Sequence, residues 1–186
     1  MDVSELKKNV KLQLNGHPYT VTEFQFVKPG KGQGLYKCKV KNLITGAVIE
    51  RTWRSGEKLE PADVRSSPHQ FVFATASGYT FMDIESYEQI EVSAELIGDD
   101  KNFLLDQIQC DVLFYNGKCI GVTLPSHVVM ELVECEAGVK GDTSSGATKI
   151  AKVQTGYELH VPLFIKVGEK VKIDTRTGEY VERVNG

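Results

Sequence analysis

Three times this chain interrupts a run of alternating apolar and polar residues with a glycine dipeptide, then resumes the alternation. The segments are "LITGAVIERTW" around Thr45-Gly46, "DVLFYNGKCIGVTLP" around Asn116-Gly117 and "KVKIDTRTGEYVERV" around Thr177-Gly178. A period of two sends successive side chains to opposite faces of a strand, and the glycine dipeptide supplies the positive φ angles of a tight reversal. The pattern commits the chain to antiparallel hairpins. Two more stretches read as strands: "HPYTVTEFQFV", β-branched and aromatic, and "LYKCKVKN", which alternates strictly. In the latter, Tyr36, Cys38 and Val40 share one face while Lys37, Lys39 and Lys41 share the other. One short helix is expected in "DDKNFLLDQI", capped by Asp99 or Asp100, with Leu104, Leu105 and Ile108 on its apolar side.

Many short strands at regular turn spacing favour small barrels. The polar, proline-bearing stretch "EKLEPADVRSSP" and the "LPSHV" near Pro125 divide the 186 residues into 1–62, 63–126 and 127–186. A faint echo between "NGKCIGVTLPSHVVMELV" and "TGYELHVPLFIKVGEKVKI" suits two related barrels in the second and third segments, or is chance. Charge is unevenly shared. Residues 1–62 carry 11 Lys and Arg against 6 Asp and Glu, a balance of +5, whereas residues 63–126 balance at −7 and residues 127–186 at −1. A basic first segment on an acidic chain suits contact with a polyanion at one end, although a solvated surface has the same composition.

Several functions are excluded or disfavoured. No apolar run approaches the roughly 18 residues of a membrane span, and "MDVSELKKNVKL" lacks a signal-peptide core, so a cytoplasmic protein is expected. Cys38, Cys110, Cys119 and Cys135 include no CxxC pair, and His17, His69, His127 and His160 are scattered. Neither a disulfide framework nor a metal site is expected, and Cys38 and Cys110 read as buried strand thiols. "PGKGQG" superficially resembles a phosphate loop, but Lys31 is followed by Gly32 and Gln33 and then by a strand, not by Ser or Thr and a helix. No serine sits in a GxSxG elbow. An enzyme is disfavoured, and no cofactor is expected.

Lys31 then stands on its own terms, in a loop joining two antiparallel strands. Pro29 restricts the approach, while Gly30, Gly32 and Gly34 offer unusual φ values and remove side-chain bulk, so a thin backbone could carry one long cationic arm into a narrow space. A merely flexible loop is the alternative. Lys28 and the row Lys37, Lys39, Lys41 would line the hairpin with charge suited to phosphates. A second polar loop, "GVKGDTSSGATK" at 138–149, offers Gly141, Asp142 and Thr143 for contact with an RNA backbone or ribose, or is a plain connection.

Taken together, "FVKPGKGQG", "NLITGAVIERTWRSGEKLEPADV", "LFYNGKCIGVTLP", "GVKGDTSSGATK" and "TGYELHVPLFIKVGEKVKIDTRTGEYVERV" resemble the bacterial translation elongation factor P family, in order and from end to end. The resemblance implies an all-β chain of three small barrels, an SH3-like (KOW-type) domain at 1–62 and OB-folds at 63–126 and 127–186, in an L-shaped, tRNA-like arrangement. It implies a non-catalytic, monomeric factor that binds the 70S ribosome and its RNA beside the P-site peptidyl-tRNA and relieves stalling at consecutive prolines. Lys31 matches the tip position, with Pro29, Gly30, Gly32, Gln33 and Gly34 as its loop. Many members modify that lysine covalently, for example with a β-lysyl group added by an enzyme resembling a lysyl-tRNA synthetase. Members with arginine there use a sugar, which Lys31 argues against. Gly34 stands where some members carry Ala, implying a more flexible tip. Tyr180 and Arg183 match "EYVxRV", a tRNA or small-subunit contact by resemblance, or else a barrel-closing aromatic and a surface charge. In "KIAKVQTG", Ile150 and Lys152 replace a family pattern containing proline, and a local loop change is expected.

Overall fold

A computed structural model of the chain describes residues 1–137 and 147–185. Two compact units divide the chain, Met1–Ser67 with Val112–Val122, and Pro68–Asp111 with Thr123–Gly186. The described residues form three five-stranded antiparallel sheets. The hairpins required by the alternating runs are all present.

The first sheet contains β1 (Lys11–Leu14), β2 (His17–Val27), β3 (Leu35–Asn42), β4 (Val48–Arg54) and β5 (Glu60–Pro61), in the order β4-β3-β2-β1-β5. Its core gathers Val3, Leu6, Leu12, Val21, Val40 and Trp53, with the Cys38 thiol, buried as expected. A bulge falls between Val21 and Glu23: Val21 pairs with Val40, but Glu23, not Thr22, pairs with Lys39. One inserted residue exchanges the faces of everything beyond it. Glu23 and Gln25 turn outward with the lysine row, and Phe24 and Phe26 join the apolar face.

The second sheet contains β6 (Val64–Ala74), β7 (Gly78–Asp83), β8 (Gln89–Ser93), β9 (Gln109–Tyr115) and β10 (Lys118–Thr123), ordered β10-β9-β6-β7-β8. The third contains β11 (His127–Cys135), β12 (Thr148–Val153), β13 (Glu158–Pro162), β14 (Lys170–Asp174) and β15 (Tyr180–Val184), ordered β13-β12-β11-β14-β15. Numbering each sheet's strands one to five along the chain, both read 3-2-1-4-5. The two sheets share a topology, yet the echoing segments do not occupy equivalent places. One runs from strand five of the second sheet into strand one of the third, the other from strand three into strand four of the third, so the echo does not mark equivalent strands.

The expected helix over 99–108 is replaced. A single α-helical turn, α1 (Ala94–Ile97), is capped by the Ser93 hydroxyl, which accepts from the Leu96 amide, and Gly98 passes it at φ 53° into a 3-10 segment, Gly98–Phe103. Regular helix stops at Leu104, and Gln107 takes φ 63°. The cause is tertiary. Phe103 leaves the segment to enter the core of the third sheet, where its ring meets Tyr157 edge-on at 5.1 Å, and Leu105 and Ile108 pack alongside. The Thr155 hydroxyl donates to the Asn102 carbonyl at 2.6 Å, fastening the same segment. At Ile150 and Lys152 there is strand instead of the expected loop change: both lie in β12, which pairs with β11 across a bulge between Leu132 and Glu134, and Lys152 reaches Glu134 and Glu158 across the sheet.

One turn recurs in all three sheets. Asn42, Asp83 and Asp174 each open a hairpin, accept backbone amides two or three residues on through a side-chain oxygen, and accept the amide four residues on through their own carbonyl. The fifth residue must take positive φ: Gly46 at 78°, Gly178 at 77° and, in the second sheet, Tyr87 at 62°. A Cβ at Gly46 would meet open space, whereas one at Gly178 would overlap the Tyr157 hydroxyl, which itself donates to the Gly178 carbonyl at 2.9 Å. Gly46→Ala should therefore cost only the left-handed backbone penalty of about 1–2 kcal/mol, and Gly178→Ala about 1–3 kcal/mol more, read as a larger drop in the urea midpoint. Equal drops would show that Tyr157 yields freely.

Cys110 is buried in β9, and that burial, aided by the neighbouring Asp111 carboxylate, pushes its thiol up to about 12. It is an inert core group, as its strand setting predicts. Among the described residues no helix is long and apolar enough to cross a membrane.

Candidate functional site

The tip loop hangs between β2 and β3, whose pairing runs to Val27 opposite Leu35. The Gly32 amide donates to the Pro29 carbonyl at 3.3 Å, so Pro29, Gly30, Lys31 and Gly32 form one reversal with Lys31 inside it. Lys31 is exposed, and among the described residues its side chain makes no hydrogen bond or ion pair. The glycines work differently from expectation. None of Gly30, Gly32 and Gly34 has positive φ, so unusual backbone angles are not their contribution. Gly30 and Gly32 instead leave the lysine without bulky neighbours: a Cβ at Gly30 would touch nothing, and one at Gly32 only the Pro29 ring at 3.7 Å.

Gly34 is of another kind. It is buried, and a Cβ there would lie 2.5 Å from the Phe26 ring and 2.8 Å from the Ser55 hydroxyl. Its carbonyl accepts both the Ser55 amide at 2.9 Å and the Ser55 hydroxyl at 3.1 Å. The leg at Gly34 is thus fastened, which corrects the expectation that glycine loosens the tip there. Phe26 and Ser55, the two supports, lie inside segments that carry the family resemblance, but nothing local assigns them this part: the bulge decides which face Phe26 takes, and Ser55 meets Gly34 only through the β3–β4 pairing. A thin, freely projecting apex stands on one fixed leg.

The lysine row is present but uneven. Lys37 and Lys41 are exposed on the outer face with Lys39 between them. Lys39 lies 3.0 Å from the Glu23 carboxylate and is in register with Glu50 on β4. The hydrogen bond and charge of Glu23, reinforced by Glu50, raise its ammonium above the ordinary lysine value. A cation held this way is partly neutralised toward a phosphate, leaving Lys28, Lys37 and Lys41, among the described residues, as the unpaired charges of the hairpin beside Lys31 itself. Gln33 is exposed beside the apex.

In the third sheet, Tyr180 is half-buried and packs against the core, while Arg183 is exposed. The Arg183 guanidinium reaches Glu169 at 3.3 Å and lies 5.6 Å from the centre of the Phe164 ring. Gly141, Asp142 and Thr143 lie outside the described residues. At the turn of β14, Arg176 grips Asp174 through two nitrogens at 3.1 and 2.8 Å and holds that carboxyl well below the usual carboxylate range.

Comparison with known proteins agrees with this architecture. The KOW-like domain of elongation factor P matches residues 2–59, its OB domain residues 64–122 and its C-terminal domain residues 128–183. Elongation factor P of Syntrophus aciditrophicus is 48% identical over 183 residues, covering 98% of each chain. That of Rhodopirellula baltica is 48% identical over 184 residues, covering 99% of this chain and 94% of its own. Among solved structures, translation initiation factor 5A from Methanococcus jannaschii aligns with a TM-score of 0.54 at 18% identity, over 67% of this chain and 93% of that one, a likeness of fold alone. With a KOW-like sheet, an OB domain and full-length relatives near half identity, the chain belongs to the elongation factor P family of translation elongation factors.

Proposed function

We propose that this chain binds the 70S ribosome beside the P-site peptidyl-tRNA and stimulates peptide-bond formation, relieving stalls at consecutive prolines. The observation that carries the reading is Lys31, exposed on a glycine-thinned apex whose other end is fastened through Gly34. Proline is a hindered secondary amine with fixed φ, so its attack geometry is rarely populated. A factor that holds the peptidyl-tRNA end in an attack-ready pose lowers the entropic part of the barrier. The ribosome supplies the catalysis and this chain the positioning, as a monomer in the cytoplasm. Its working division is three domains, 1–62, 63–126 and 127–186, the first of them laid along RNA in keeping with its +5 balance. Lys28, Lys37 and Lys41 serve as phosphate contacts, with Lys39 in a weaker part, and Gly141, Asp142, Thr143, Tyr180 and Arg183 serve as further RNA contacts. Lys31 is the substrate of a modifying enzyme resembling a lysyl-tRNA synthetase, with β-lysylation as the group in view. The test is reconstituted translation of a reporter with a proline run and of a proline-free control. Adding the chain should raise full-length product from the first only; equal yields with and without it would refute the reading.

A further inference from the structure

The distal half of the first sheet carries an aromatic face that stays partly exposed, with Lys8 near the Phe24 end. β1 pairs with β2 only as far as Lys11 opposite Thr20, so beyond the bulge β2, β3 and β4 continue toward the tip alone. Across these strands Phe26, Tyr36 and Trp53 form one line in register, and Phe24, Cys38 and Arg51 the next. Trp53 and Cys38 belong to the core, but Phe26 is 48% and Phe24 39% exposed. The three outer rings form a ladder, with Tyr36 centred 4.8 Å from Phe26 and 6.0 Å from Phe24. Burial does not account for placing two phenylalanines here. The bulge that turns them to this face leaves them half in water, and contiguous exposed apolar surface marks a contact region.

Charge selects the occupant. Neither line contains a carboxylate: Glu23 and Glu50 lie on the opposite face with Lys39, while Arg51 is exposed at the end of the Phe24 line. Rings beside a guanidinium, on a segment with a balance of +5, fit bases with their phosphates. A duplex hides its base faces in the stack, so the fitting RNA is unpaired.

We propose that Phe24, Tyr36 and Phe26 form a stacking platform for an unpaired RNA segment next to the tip, with Arg51 on its backbone. The inference deepens the ribosome-binding reading and rests on it. Because Gly34 lies directly against the Phe26 ring, a base seated on that ring also steadies the leg from which Lys31 projects.

The test is ultraviolet crosslinking of the full chain pelleted with 70S ribosomes, followed by nuclease and protease digestion and mass spectrometry. Nucleotide adducts are expected on the peptides holding Phe24, Phe26 and Tyr36. Phe26→Leu should weaken ribosome binding about 5- to 150-fold, the range of one lost base–aromatic stack, whereas Phe26→Tyr should bind near wild type. Both variants should keep the wild-type melting curve, and Phe24→Leu repeats the test if Phe26→Leu does not. A second arm measures binding to a short oligoadenosine and to its duplex. A wild-type chain that ignores ribosomes but holds the single strand through Phe26 would sink the ribosome reading and keep the platform. A chain that pellets normally with adducts elsewhere, crosslinks there to protein, or binds equally well as Phe26→Leu would overturn the platform alone. Binding to neither ribosomes nor the single strand would overturn both.

Discussion

Lys31→Ala should leave the melting curve unchanged and abolish rescue of the proline-run reporter. The first half follows from the site. Lys31 is exposed, and among the described residues its side chain has no hydrogen bond or ion pair to lose. Substitutions at such positions usually stay within about 0.5 kcal/mol. The second half follows from what remains after truncation. Pro29, Gly30 and Gly32 keep their reversal and Ser55 still holds Gly34, yet nothing on the apex reaches out. Lys31→Arg separates charge from chemistry. Arginine preserves the cation but offers no primary amine for acylation, so a modification-dependent factor should lose most of its activity here too. The mass of the Lys31 peptide from the natural host decides between an added group and a bare amine. Unchanged rescue by Lys31→Ala would remove the tip from the mechanism, and an unmodified peptide mass would remove only the modification.

Phe81→Ala should produce the largest loss of stability, about 3–5 kcal/mol, as expected for emptying a fully buried aromatic site. Phe81 is 0% exposed in β7, lies opposite Phe71 on β6 and Ile90 on β8, and has its ring 5.6 Å from that of Phe71. Strand pairing fixes the backbone on both sides, so neighbouring chains cannot collapse far into the space. Domains are typically stable by about 5–15 kcal/mol, so the variant should sit near the edge of folding. Urea unfolding should show a lower midpoint with an unchanged slope. A loss under about 1 kcal/mol would mean that the site repacks and that Phe81 is not central to its core.

Much of the fold was legible because a period of two and a glycine turn are local signals. Thr45-Gly46, Asn116-Gly117 and Thr177-Gly178 each marked a real hairpin, and the alternation of Tyr36, Cys38 and Val40 gave the correct buried face. The equivalent turn after Asp83 was silent because Tyr87 fills the position that glycine fills elsewhere. Lys31 on an exposed apex was legible for the same local reason. What lay hidden was set by one residue of slippage and by distant packing. The bulge at Val21 and Glu23 brings Glu23 to Lys39 and turns Phe26 toward Gly34, and no spacing rule places a bulge. The helix expected from Asp99 onward gave way because Phe103 and Leu105 find more apolar surface against the third sheet than along a helix of their own.

That same segment bears on how the molecule could be recombined. Composition invites a cut near Pro125, but a piece beginning at residue 127 would leave behind Phe103, whose ring fills the core under Tyr157, and the Asn102 carbonyl that Thr155 grips. The exchangeable module therefore begins near residue 98, overlapping its neighbour in sequence. A chimera joined at Pro125 inherits a vacancy unless the donor of the upstream half brings an aromatic plug of matching size.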